Sequence, residues 1–190
     1  MNLGTDRAGN ERQSAANFGA TLAGKYMTFK LGREEYALEI LKVREIIGLM
    51  DITRVPRTAE YIRGVINLRG KVIPVLDLRL KFGMERVEAT DQTVIIVVQY
   101  TSEHSQDLTM GILVDEVLEV LDISADQIEP PPHFGTGAGD TDFILGVGKS
   151  DKRVIFLVDI GKVLTCDDKR QMEKASPNGQ PASEATQERP

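Results

Sequence analysis

A mainly β protein, made by duplicating one small β unit, is the fold class this sequence predicts, and three observations carry the prediction. Aromatic residues are only 5% of the chain and Trp is absent, so the interior must be built from Val, Ile and Leu, whose β-branched members suit pleated strands. The stretch Tyr61–Phe82, YIRGVINLRGKVIPVLDLRLKF, sets two β-rich runs around the compact turn Asn67-Leu68-Arg69-Gly70, which is a hairpin signature. The pattern of the first half then returns. Met110–Leu121 (MGILVDEVLEVL) repeats Tyr36–Ile47 (YALEILKVREII) at an offset of 74, and Phe143–Ile160 repeats Tyr61–Leu78 at an offset of 82.

Taken in order, Met1 to about Ala23 is rich in Gly, Asn, Gln, Ser and Ala without apolar periodicity and is expected to be a flexible lead (1–23). Lys25–Leu31 alternates as a strand, Gly32–Glu35 reads as a turn, and Tyr36–Leu38 resumes extended structure. An irregular turn at Glu39–Lys42 leads to a strand at Val43–Leu49, although the spacing of Ile40, Val43, Ile46 and Ile47 also fits a helical turn. Asp51–Pro56 is a connector whose proline limits pairing. After the hairpin, Asp77 stands where it can cap a helical turn over Leu78–Phe82. Thr93–Tyr100 is a near-continuous apolar run of buried-strand length, and Thr101–Asp107 is polar and turn-like. The change of offset from 74 to 82 places an eight-residue insertion within Pro131–Asp142, a Gly/Pro-rich surface loop. From Cys166 onward the chain is polar, and 167–190 is expected to be a flexible tail.

Composition bounds the function. Net charge of -6 and a pI near 5.1 argue against a broad nucleic-acid surface or an anionic membrane as partner. The single Cys166 excludes an internal disulfide and fits a reducing compartment, while no apolar run approaches a membrane span and the amino terminus lacks a signal core. A soluble, cytoplasmic protein is expected. Catalytic and metal-binding patterns are missing. His104 and His133 are far apart in the repeat, and Cys166 has no base near it. The Asp140/Asp142 and Asp167/Asp168 pairs lack the rest of a calcium loop, and Gly135-x-Gly137-x-Gly139 follows no strand. A binding protein without cofactor or metal is the better class.

The duplication acts as an internal control. Gly64 with Gly146, Asp77 with Asp159, and Pro56 with Pro130 agree between copies, so the shared fold accounts for them. Arg69 falls on Asp151, a charge reversal at the hairpin tip. The turn therefore does not need Arg69 for closure, and its forked guanidinium is free to meet a partner carboxylate or carbonyl.

The motifs EEYALEILKVREI, IRGVINLRGKVIPVLDLRLKFG, GILVDEVLEVL and ILGVGKSDKRVIFLVDI together resemble the bacterial chemotaxis coupling protein family, CheW, over about Lys25–Thr165. The resemblance implies two packed SH3-like five-stranded β-barrels within a CheW-like domain at 24–166, the first at about 24–88 and the second at about 91–166, with an amino-terminal strand able to cross between them. It implies a non-catalytic adaptor between the cytoplasmic tips of methyl-accepting chemoreceptors and the regulatory domain of the histidine kinase CheA, with ring or array assembly. Positions matching the family's partner surfaces are Val43, Glu45, Gly64, Arg69, Val117 and Val120. The valines fit core packing as well as a groove that takes a receptor helix. Two alternatives stay open: a double-barrel interaction module of another signalling or motility pathway, and a small-barrel nucleic-acid binder, which the acidic pI disfavours.

Overall fold

The computed structural model describes residues 17–101, 107–132 and 141–164, with the side chains of residues 101 and 107 set aside. After a helical turn α1 at 17–22 come β1 (Gly24–Leu31), β2 (Glu34–Glu39), β3 (Val43–Gly48), β4 (Ile62–Leu68), β5 (Lys71–Asp77) and the short helix α2 (Leu78–Lys81). The second copy supplies β6 (Val94–Thr101), β7 (Asp107–Val114), β8 (Glu116–Ile123), β9 (Ile128–Glu129), β10 (Ile144–Ser150), β11 (Arg153–Val158) and α3 (Ile160–Val163). Where the sequence reading sets strand bounds, β1, β2, β3 and β6 stand within two residues of them, while β7 begins at Asp107, inside the stretch read as a turn, and β9 has no counterpart in that reading. A 3-10 turn at Ile40–Lys42 accounts for the ambiguous helical spacing before β3. The polar stretch Thr101–Asp107 joins the paired ends of β6 and β7, and its middle lies outside the described residues. So do most of the Pro131–Asp142 insertion, His104, His133, Cys166 and the 167–190 tail.

Both caps form. Asp77, buried at 5% exposure, accepts from the Leu80 amide at 3.3 Å, and Asp159 accepts from the Gly161 amide at 2.8 Å. Each satisfies an orphan donor of a helix too short to satisfy its own.

The strands form two sheets, and each mixes the copies. One sheet runs β8-β1-β2-β11-β10-β9, the other β3-β6-β7-β5-β4. The β1–β2 hairpin thus pairs with second-copy strands, parallel to β11 through Ala37↔Leu157 and antiparallel to β8 through Met27↔Val120. Reciprocally, β6–β7 joins the first copy, parallel to β5 through Leu76↔Ile112 and antiparallel to β3 through Ile46↔Ile96. A division into contiguous barrels at 24–88 and 91–166 therefore does not describe the pairing: a whole hairpin crosses in each direction, where a single crossing strand was expected. The reason is burial. β6 reads VIIVVQYT, with both faces apolar over Val94–Val98, and a strand of that kind needs cover on both sides. Ile95 and Val97 point into one cluster with Ile66, Ile73, Val75 and Leu113, inside the first barrel. Ile96 and Val98 point into a larger cluster with Phe29, Leu38, Leu76, Ile112 and Val158, which lies between the sheets. A third cluster around Tyr26, Ile123, Ile155 and Leu157 fills the second barrel. Ring packing reinforces the seam, with Phe82 stacked on Phe143 at 4.7 Å and Tyr36 tilted against Phe82 at 5.4 Å.

Closure of the first barrel rests on a close backbone approach. Thr53 bridges Val65 with hydrogen bonds of 2.9 and 2.8 Å, and Gly64 sits at the bulge beside it with φ +138. A Cβ on Gly64 would stand 2.1 Å from the Thr53 carbonyl oxygen. The second barrel repeats the device, with Glu129 paired to Val147 and Gly146 at the matching bulge.

The amino-terminal lead needs correction. Phe18 and Leu22, four residues apart on α1, pack on the second-barrel cluster, and the Tyr26 hydroxyl donates to the Leu22 carbonyl at 2.6 Å. Gly19 lets the helix lie against the 3-10 turn at Ala125–Gln127, since a Cβ there would be 2.0 Å from the Ala125 carbonyl oxygen. Residues 17–22 therefore close one end of that barrel.

Two expected outcomes follow. Expressed separately, the pieces 1–88 and 91–190 should each fail to melt cooperatively, and mixing them should restore a transition, because each holds a hairpin that completes the other. Deleting residues 1–16 should leave the melting temperature near wild type, whereas deleting 1–22 should lower it by several degrees, the burial of about two apolar side chains.

Candidate partner-binding site

The β4–β5 hairpin turns through two left-handed residues, Arg69 at φ 50 and Gly70 at φ 84, in the manner of a primed two-residue turn. The Asn67 side chain accepts from the Gly70 amide at 2.8 Å and holds the tip. The second-copy hairpin has the same form, with Asp151 at φ 46 and Lys152 at φ 69. The tip accepts arginine or aspartate alike, as the charge reversal between copies implied.

Held at that tip, Arg69 forms a forked pair with Glu45 on β3, Nη1 to Oε1 at 3.1 Å and Nη2 to Oε2 at 2.8 Å. Two candidates far apart in sequence thus meet. The arginine side chain is 77% exposed and the carboxylate 26%, so the pair stands in solvent and contributes at most about 1 kcal/mol to stability. What the pair does secure is orientation, since a bidentate fork fixes both planes.

The copy comparison missed a counterpart. Glu119, the duplicate of Glu45, also meets a guanidinium, but from Arg153, two positions beyond Asp151, at 2.9 Å. Arg153 also approaches Glu35 at 3.4 Å, and the Glu119 hydrogen bond is the main influence raising its pKa. A Glu–Arg tie from β3 to the β4–β5 hairpin, and from β8 to the β10–β11 hairpin, is therefore common to both barrels. The distinctive feature of Arg69 is its exposed position at the turn itself.

The remaining candidates separate by burial. Gly64 is buried and acts through its backbone at the closure point, so its contribution to a surface is indirect. Val43 opens β3 opposite Val98, and Val117 on β8 lies opposite Phe29; both are half-buried against the central cluster. Val120 stands 50% exposed, as does its duplicate Ile46 at 42%. Leu41, Leu49 and Met50, which the sequence reading passed over, extend the exposed apolar surface on either side of β3. Their signal was present only as apolar residues at both ends of β3, Leu41 before it and Leu49 and Met50 after it. Between the copies opens a cleft of about 420 Å³, lined by Leu38, Ile40 and Leu41 on one side and Leu145, Val158 and Ile160 on the other. Val43, Val117 and Val120 are not among its lining residues. Among the described residues no group of three or more His, Cys, Asp or Glu side chains could hold a metal ion, and no helix is long and apolar enough to cross a membrane.

Two β-barrels fused through a common core, with ion-paired hairpins and exposed apolar side chains on and around β3 and on β8, define an interaction module. Residues 25–167 match the CheW-like domain family. The chain is 39% identical over 150 residues to the chemotaxis protein CheW of Klebsiella aerogenes, covering 79% of this chain and 87% of that protein. It is 36% identical over 155 residues to CheW of Bacillus subtilis, covering 81% and 93%. The solved scaffolding protein TtCheW from Thermoanaerobacter tengcongensis superposes with a TM-score of 0.67 at 36% identity, over 77% of this chain and 95% of that one. The chain belongs to the CheW-like family, and its role is that of a chemotaxis coupling scaffold.

Substitutions should separate surface from frame. Arg69→Asp should cost at most about 1 kcal/mol in denaturant unfolding. Asp77→Ala removes both a cap and the partner of half-buried Arg63, 3.3 Å away, and should cost about 2 kcal/mol. Gly64→Ala, with its clash at Thr53 and strained φ, should cost about 3 kcal/mol or more.

Proposed function

We propose that this scaffold joins the cytoplasmic tips of methyl-accepting chemoreceptors to the regulatory domain of the histidine kinase CheA, in the cytoplasm and without catalysing a reaction. The observation that carries the reading is the Glu45–Arg69 fork, which ties a rigid exposed turn to β3, a strand that together with the residues after it exposes Ile46, Leu49 and Met50. A docking surface of that composition supplies apolar contact from the strand and directional hydrogen bonding from the tip. The receptor tip belongs at this face, against Val43 and Glu45. The Val117–Val120 strand of the second copy offers a second face at an equivalent place, so partners with two matching faces would build rings by head-to-tail contacts.

The test is co-purification with chemoreceptors and kinase, followed by titration of the separate fragments. Arg69→Asp should weaken the receptor-tip fragment by roughly 2 kcal/mol or more and the kinase regulatory domain by less, with thermal melting close to wild type. Recovery of neither partner, together with capture of components of a different motility or signalling system, would shift the assignment to a general double-barrel module. Equal binding of both partners by Arg69→Asp would remove Arg69 from the site.

A further inference from the structure

Duplication makes two faces of this molecule equivalent, and they carry opposite charge. Residues 41–71 hold seven Lys and Arg against three Asp and Glu, a local charge of +4 in a chain of -6. The described residues of the duplicate stretch 115–153 hold three Lys and Arg against eight Asp and Glu, a local charge of -5.

The basic stretch is one continuous surface. Thr53 bonds to Val65, the Arg54 backbone lies against Gly64, and Arg69 reaches Glu45, so β3, the 51–57 connector and the β4–β5 hairpin tip are neighbours. Within it, Lys42, Arg44, Arg54, Arg57 and Lys71 are exposed, and none makes an ion pair among the described residues. Exposed Ile46 follows Arg44 on β3, and exposed Leu49 and Met50 lead from β3 into the connector. Of the other cations, Lys30, Arg63, Arg79, Lys149 and Arg153 pair with carboxylates, while the exposed Lys25, Arg33, Arg86, Lys152 and Lys162 are dispersed along the chain outside this stretch. Unpaired cations gathered around apolar side chains, in an otherwise acidic protein, point to an occupant that brings the missing carboxylates.

We propose that the face formed by β3, the 51–57 connector and the β4–β5 tip takes an acidic amphipathic protein segment, one that lays an apolar ridge on Ile46, Leu49 and Met50 and sets flanking carboxylates against Arg44, Arg54, Arg57 and Lys71. The inference rests on the reading that the receptor tip docks here, and adds the chemistry of the docked surface. The apolar component favours a macromolecular segment over a small anion, and the acidic remainder of the chain repels nucleic acid. Opposite fields on the two faces also orient the encounter, because the wrong face repels the same segment.

The test uses the full-length chain and three measurements. Affinity for the receptor-tip fragment should fall about tenfold between roughly 0.05 and 0.5 M salt. The double variant Arg44→Glu/Arg57→Glu should weaken binding about tenfold or more, as for loss of rim charge pairs. Lys152→Glu/Lys162→Glu, which changes net charge equally at exposed sites elsewhere, should change it less than about twofold. Equal losses in the two variants, or binding indifferent to salt, would overturn the proposal. A fragment that never binds wild type would sink the receptor reading instead. An amphipathic Glu/Leu peptide then decides the chemistry: amide shifts confined to 42–71 that vanish in high salt support it, and scattered or absent shifts overturn it. Sedimentation is the last arm. Salt-sensitive oligomers abolished by Arg44→Glu/Arg57→Glu would make the occupant the acidic face of a second copy, and the proposal would fall.

Discussion

The structure depends on strands that need cover on both faces. β6 and β7 carry apolar side chains outward as well as inward, and so does β1 with Met27 and Phe29 against the seam and Tyr26 in the second barrel. A lone five-stranded barrel can bury only one of those faces. Placing each such hairpin in the other copy's sheet buries both, one in a barrel and one between the barrels. The largest apolar cluster therefore lies at the seam, where the Phe82–Phe143 stack adds to it, while the closure at Gly64 and the caps at Asp77 and Asp159 fix the ends of the individual barrels' elements. Stability of either half is then a property of the pair.

Much of this was written in plain sequence. The hairpin tip, the capping aspartates and the near-continuous β6 run follow from local chemistry, and the offsets of 74 and 82 aligned the copies well enough to place matching strands. The exchange of hairpins was hidden for a physical reason. A hairpin looks the same along the chain whichever sheet receives it, and the deciding contacts, β2 with β11 and β5 with β7, are parallel pairings between segments remote in sequence. The α1 turn was legible in part: Phe18 and Leu22 have helical spacing, and Gly19 permits the close approach, but a Gly/Asn/Ser-rich neighbourhood masked so short a signal.

The candidate site shows how position and reach differ. Matching Arg69 to Asp151 made the arginine look unique, because an offset compares backbone positions. The guanidinium, however, spans enough distance for Arg153 to reach Glu119 from two residues away. The correct comparison is between the contacts each carboxylate receives, and there the two barrels agree. What remains particular to the first barrel is exposure: an arginine at the apex of the turn, where the second barrel places an aspartate. Gly64 shows the reverse case, since a residue expected at a partner surface is buried and sets the shape on which that surface depends.

Seen as connectivity alone, the reciprocal hairpins are those of a domain-swapped dimer whose two subunits have been spliced end to end through residues 83–93. A swapped homodimer would be bound by its own symmetry to show the world the same face twice, and any change that suited one ligand would be imposed on both surfaces. Splicing removes that bond. Each half keeps the geometry of the other while its exterior diverges, which is how one small protein can hold two different neighbours at a fixed angle and distance.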